Sequence, residues 1–193
     1  MTAGQAPEAL EPGGALAVVL AHGDINLFAL GTVTDVNDGT FLGFGHPMFG
    51  WGAMAIPVAT AWVSTTIASP YNAFKVGRLG KLVGTMTQDR LPAIAGTIGA
   101  IPTMIPVTVQ VGPGQQSRAH VVQNRRLTPN LLASVVHQAA RRRTQHQSGG
   151  TVVLKGQIET THGTLNLDEW IAHPDHPDLA ARVAGSVAFL VGL

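Results

Sequence analysis

One histidine of this chain stands in a setting built for close backbone contact: His46, within Gly43-Phe44-Gly45-His46-Pro47-Met48-Phe49-Gly50-Trp51-Gly52. Four glycines and one proline in ten residues mark a bend where the backbone needs left-handed dihedrals or close approach. Imidazole is the side chain best suited to exchange a proton near neutral pH, so a histidine fixed in such a bend is a candidate general base. The other reading is a structural histidine that hydrogen-bonds the bend.

Further residues have the types for chemistry but less favourable surroundings. His173-Pro174-Asp175-His176-Pro177-Asp178 offers two imidazoles and two carboxylates, groups that bind first-row metals. The interleaved prolines favour a turn that opens a helix, with Asp175 or His176 at its cap, so no metal or other cofactor is expected. His22 and Asp24 read as a turn pair. Gly77-Arg78-Leu79-Gly80-Lys81 lacks the spacing of a phosphate loop. Trp51, Trp62 and Trp170 are too dispersed for a stacking platform, and core or interface packing is expected of them.

The composition narrows the function classes. Over 193 residues the formal net charge is +1 with 12% charged residues, which gives no overall footprint for nucleic acid. Arg125-Arg126 and Arg141-Arg142-Arg143 are the local exceptions, and they suit the solvated surroundings and C-terminal end of a helix. The absence of cysteine excludes disulfides, thiolate catalysis and Cys-based zinc sites. Every apolar run is cut before the roughly 18 residues of a membrane span, so no spanning helix is expected. Residues 1–14 lack the basic start and apolar stretch of a secretory signal and are expected to be a flexible lead-in.

The elements that must position His46 are short strands. Ala15 to Leu20 is one; Leu27 to Val36 and Phe41 to Phe44 flank Asn37-Asp38-Gly39-Thr40, a favoured hairpin turn, which places His46 just past the second arm. Ala55 to Ala68 reads as a strand with an irregular opening at Pro57. Phe74 to Val83, with two glycines and three basic residues, reads as a loop or bulged edge. Leu82 to Thr87, Ile94 to Ile98 and Ile105 to Val111 supply further strands. Such punctuation by Gly and Pro indicates a barrel or sandwich.

After residue 120 the pattern changes. Thr128 as cap, Pro129 in the first turn and the stripe Leu131, Leu132, Val135, Val136 and Ala139 predict a helix over 129–143 whose apolar face packs on the sheet. Thr151 to Thr160 returns as a strand, and a second helix from about Pro177 carries Val183, Val187 and Leu190 to the terminus. The expected fold is mainly β with two C-terminal helices: a β-rich domain over 15–193, with a barrel core at 15–111 and a strand-helix extension at 112–193.

Four stretches occur in an order that resembles the SpoIVB-type serine peptidase family, named for stage IV sporulation protein B: Gly31-Thr32-Val33-Thr34, Phe44-Gly45-His46-Pro47, Gly84-Thr85-Met86-Thr87-Gln88-Asp89-Arg90 and Ile105-Pro106-Val107-Thr108-Val109. The resemblance covers about Gly14 to Val111. It implies a trypsin-like β-barrel fold, a protein or peptide partner, an exported or envelope-associated bacterial setting, and His46 at the position of the catalytic histidine. It implies no cofactor, and oligomeric state stays open.

The serine of that family stands in a Gly-x-Ser-Gly-x-Pro turn, which aims backbone N–H groups at the developing oxyanion. This chain has no such turn. Ser148-Gly149-Gly150 comes nearest, but it follows Gln147 and emerges from the first predicted helix. Asp89 is not where the family's catalytic aspartate lies, and a loop ion pair with Arg90 is its plain reading. Two expectations of different class result. One is a peptidase-like domain without a competent nucleophile, acting as a binding or assembly module in a bacterial envelope or signalling protein. The other is an active endopeptidase with His46 as general base and Ser148, or Ser64 or Ser69, as nucleophile. A third source of the serine is chain beyond residue 193.

Overall fold

The structure, a computed structural model, describes residues 7–70, 73–114, 116–144, 150–173 and 179–192. Its strands exceed its helices, as the short Gly- and Pro-bounded runs predict, and it divides into two compact units, Met1–Ile105 and Pro106–Leu193.

The first unit holds β1 (Ala15–Gly23), β2 (Leu27–Asn37), β3 (Thr40–Gly43), β4 (Gly52–Ile67), β5 (Phe74–Arg90) and β6 (Ala93–Ile98). All its pairings are antiparallel, in the order β2-β3-β6-β5-β4-β1, and β1 pairs again with β2. This barrel-like succession agrees with the mainly β expectation. The Asp38-Gly39 turn joins β2 to β3 with both residues at positive φ, 45° and 73°, the geometry that matches strand twist in a two-residue hairpin.

β1 is buried on both faces. Leu16 and Val18 alternate with Ala17 and Val19, and all four are fully buried. Leu16 shares its side of the sheet with Ile94 at Gly43, where a Cβ would lie 2.6 Å from the leucine side chain. On the other side Ala17, Val19, Ala59 and Ala61 pack with Phe28, Leu30, Leu79 and Leu82.

β4 and β5 form one long hairpin, paired from Gly52 with Asp89 to Ile67 with Phe74. Phe74 to Val83, expected as a loop or bulged edge, is thus an arm of that hairpin. Its register shifts between Ala53 and Ile56, Val58 and Ala59, Ala59 and Ala61, and Val63 and Thr65, irregularities that bend a ladder too long to stay flat. Residues 10–14 are tied to β2: Leu10 is buried, Gly13 N donates to Val33 O and Val33 N to Gly14 O, both at 2.9 Å.

The second unit takes in most of β7 (Met104–Gln110), its hydrogen-bonded neighbour β8 (Gln116–Val122), α1 (Thr128–Thr144), the hairpin of β9 (Gly150–Thr160) with β10 (Gly163–His173), and α2 (Leu179–Gly192). Leu131, Val135 and Ala139 are buried in α1; Ala180, Val183, Ala184 and Val187 in α2. The apolar face of α1 meets α2 foremost and β8 to a lesser extent, so its main cover is a helix and not the sheet expected for it. Thr128 is not the cap. Asn124 Oδ1 accepts from Arg126 N and Leu127 N at 3.0 and 3.3 Å, while the Thr128 hydroxyl donates to Val122 O at 2.8 Å.

Candidate functional site

The site grows out of the segment after β3. Phe44 N donates to Thr32 O, and Gly45 N donates to Gly43 O, both at 2.9 Å; the second bond closes a three-residue turn around Phe44, whose φ is 70°. A bulky side chain rarely occupies that left-handed region. Its ring lies over Gly31, where a Cβ would come within 2.0 Å of it, so the glycine makes room for the ring that begins the loop. Gly45, Gly50 and Gly52 also have positive φ, at 72°, 72° and 79°, the conformations foreseen for this run.

His46 is exposed at the end of this turn, its ring 5.6 Å from that of Phe44. Its Nδ1 is 2.8 Å from Pro47 O. A carbonyl oxygen only accepts, so Nδ1 carries the proton in this contact and Nε2 is the acceptor in the neutral ring. A backbone carbonyl therefore orients the imidazole where a catalytic triad uses a carboxylate.

The carboxylate nearby has a different task. Asp89, in β5, is fully buried; its Oδ1 accepts from Met48 N at 2.8 Å, and its Oδ2 from Phe49 N at 2.7 Å and Gly50 N at 2.8 Å. The expected loop ion pair with Arg90 is replaced by this arrangement, because burial leaves the carboxylate dependent on hydrogen bonds and three successive amides converge on it. Arg90 Nε donates to Gln88 Oε1 at 2.9 Å. The amides of Met48, Phe49 and Gly50 are thus engaged by this carboxylate.

His46 lines a groove of about 550 Å³ with Phe28, Thr32, Phe44, Phe74 and Lys75, among others. Lys75 Nζ donates to Thr32 Oγ1 at 2.5 Å, linking β5 to β2. Lys75 and Thr32 escaped sequence reasoning; the signals were Gly31 and Gly77, which on strands imply close approach. A Cβ on Gly77 would lie 2.2 Å from Trp62 O and 3.1 Å from Leu30.

The other candidates do not join this site. Ser64 is exposed on β4 and Ser69 follows that strand; neither lines the groove of His46. Ser148 lies outside the described residues. So do residues 174–178 and the side chain of His173, hence the His173–Asp178 run. Among the described residues no three His, Asp or Glu come together as a metal would require. The turn with His22 and Asp24 is held by Asn26, whose side chain bonds Gly23 N at 3.2 Å and Gly23 O at 3.1 Å. Packing inside a core does not account for the tryptophans: Trp51 and Trp62 are 38% exposed and Trp170 74%, and Trp51 stacks on Phe49 with ring centres 4.6 Å apart. No helix among the described residues is long and apolar enough to cross a membrane.

Comparison with family models, curated proteins and solved structures returns no match for this chain.

Proposed function

We propose that this chain is a SpoIVB-type peptidase-like domain that keeps the histidine loop without hydrolysing peptides, and that it binds a protein or peptide partner in a bacterial envelope or signalling protein. The observation that carries this reading is the company of His46: aromatic and aliphatic side chains, Lys75 and Thr32 line its groove, and among the described residues no serine does. A hydroxyl becomes a competent nucleophile only beside a base that takes its proton. The Thr32 hydroxyl is instead the acceptor of the Lys75 amine, and the converging amides of Met48, Phe49 and Gly50 are filled by Asp89.

A second reading has one observation in its favour. With Nδ1 bonded to Pro47 O, His46 presents Nε2 as a base, so an active endopeptidase with His46 as general base needs a serine brought to it. Treatment of the purified chain with a fluorophosphonate probe and with casein decides between the two. The binding module gives neither labelling nor turnover; stoichiometric labelling lost in His46→Ala establishes the peptidase.

A further inference from the structure

We propose that the groove between β2 and β5 takes an extended acidic segment of a protein partner, which adds as a strand to the free edge of β5 and places a carboxylate on Lys75. This deepens the binding-module reading by naming where the partner lies and what it carries.

The edge follows from the register. β6 pairs with β5 only from Gly84 to Arg90, and β3 pairs with β2 only from Val33 to Asn37. Among the described residues, Phe74–Leu82 therefore has a ladder partner on one side, β4, and Leu27–Gly31 on one side, β1. In an antiparallel strand alternate residues send both N–H and C=O to the same side. The open sides hold rows of backbone donors and acceptors, a ready template for an incoming strand.

β2 and β5 approach each other over the layer of Ala17, Val19, Ala59 and Ala61, and a side chain joins them at this end, Lys75 to Thr32. Two grooves lie along the seam and share Phe28 and Gly77: the one with His46, and one of about 590 Å³ that includes His22, Asn26 and Arg78. Both volumes fall within the ~300–1,000 Å³ of ligand sites.

Charge selects the occupant. Among the described residues, the ionisable side chains lining the two grooves are His22, His46, Lys75 and Arg78, with no carboxylate among them. The Thr32 hydroxyl is a weaker partner for an ammonium than a carboxylate, so an acidic side chain of the segment displaces it. Phe28, Phe44 and Phe74 receive the apolar side chains that alternate with the acidic ones.

The test uses the full chain and fluorescein-labelled octapeptides read by fluorescence anisotropy: alternating Leu-Asp, alternating Leu-Lys, and the Leu-Asp peptide methylated on every second backbone nitrogen. The Leu-Asp peptide binds, and Lys75→Glu or Lys75→Met weakens it by about tenfold or more. Leu-Lys binds the Lys75→Glu chain better than the original, methylation abolishes binding, and hydrogen exchange slows within 74–82. Lys75→Met retains the apolar stem, so it separates loss of the ammonium from a folding defect. Absence of Leu-Asp binding, binding by either Lys75 variant as tight as by the original chain, indifference to methylation, or protection of 74–82 through self-association in the absence of peptide overturns the proposal. Cleavage of the bound peptide instead overturns the non-hydrolytic reading and leaves the groove assignment intact.

Discussion

Asp89 and Phe49 stand forty positions apart, yet the Asp89 carboxylate accepts the Phe49 backbone N–H at 2.7 Å and by that bond, with those from Met48 and Gly50, holds the histidine loop against β5. A buried carboxylate with three N–H partners is stable where it is, and the loop is unstable without it. Asp89→Ala leaves three amides without their acceptor, at a cost of about 1–3 kcal/mol for each that stays dry. Urea unfolding should show a loss of at least ~3 kcal/mol; a loss below ~1 kcal/mol means the carboxylate does not anchor the loop.

His46 itself should matter little to folding. The ring is exposed and its hydrogen bond reaches only the next residue, so water replaces it in His46→Ala. The expected change in stability is within about 0.5 kcal/mol, well under the penalty for leaving a buried group unpaired. A larger loss by thermal denaturation would place the imidazole in a structural role.

Gly31 controls the groove from the neighbouring strand. In Gly31→Ala the new methyl overlaps the Phe44 ring, and a ring held at φ 70° has little freedom to move aside. The substitution should shift the NMR signals of Phe44 and His46 and destabilise the fold by about 1–3 kcal/mol. Unchanged His46 signals would show that the loop conformation does not depend on that contact.

At the start of α1, Asn124 takes the capping role that the sequence reading gave to Thr128. Asn124→Ala removes the acceptor of two amides in the turn that leads into α1 and should cost about 1 kcal/mol. Thr128→Ala removes a bridge from Asn124 N to Val122 O, and its effect should depend on Asn124, with the double variant departing from additivity by about 0.5 kcal/mol or more. Strict additivity in denaturant unfolding would mean the two side chains act separately.

Most of the strands, the Asp38-Gly39 turn, both helices and the unusual dihedrals around His46 were legible in the residues because each is a local matter, whereas β8 and β10 were not read as strands. Alternation, a turn dipeptide, a 3.6-residue stripe and clustered glycines act within a few positions. For Phe74 to Val83, whose two glycines look like breaks in a strand, the residues left a loop or a bulged edge open, and the bulged edge is what the register shows; Gly77 makes room there for Trp62 O across the hairpin, a neighbour fifteen positions away. Which side chains surround His46 could not be read locally at all. Lys75 and Thr32 meet where β5 and β2 pack over a shared alanine layer, and Asp89 reaches residues 48–50 through the register of β4 with β5. Local propensity determined the elements and the bend that carries the histidine; only the long-range ladders, which pair residues tens of positions apart, decided that its carboxylate neighbour anchors backbone and that its groove is lined by lysine and phenylalanine.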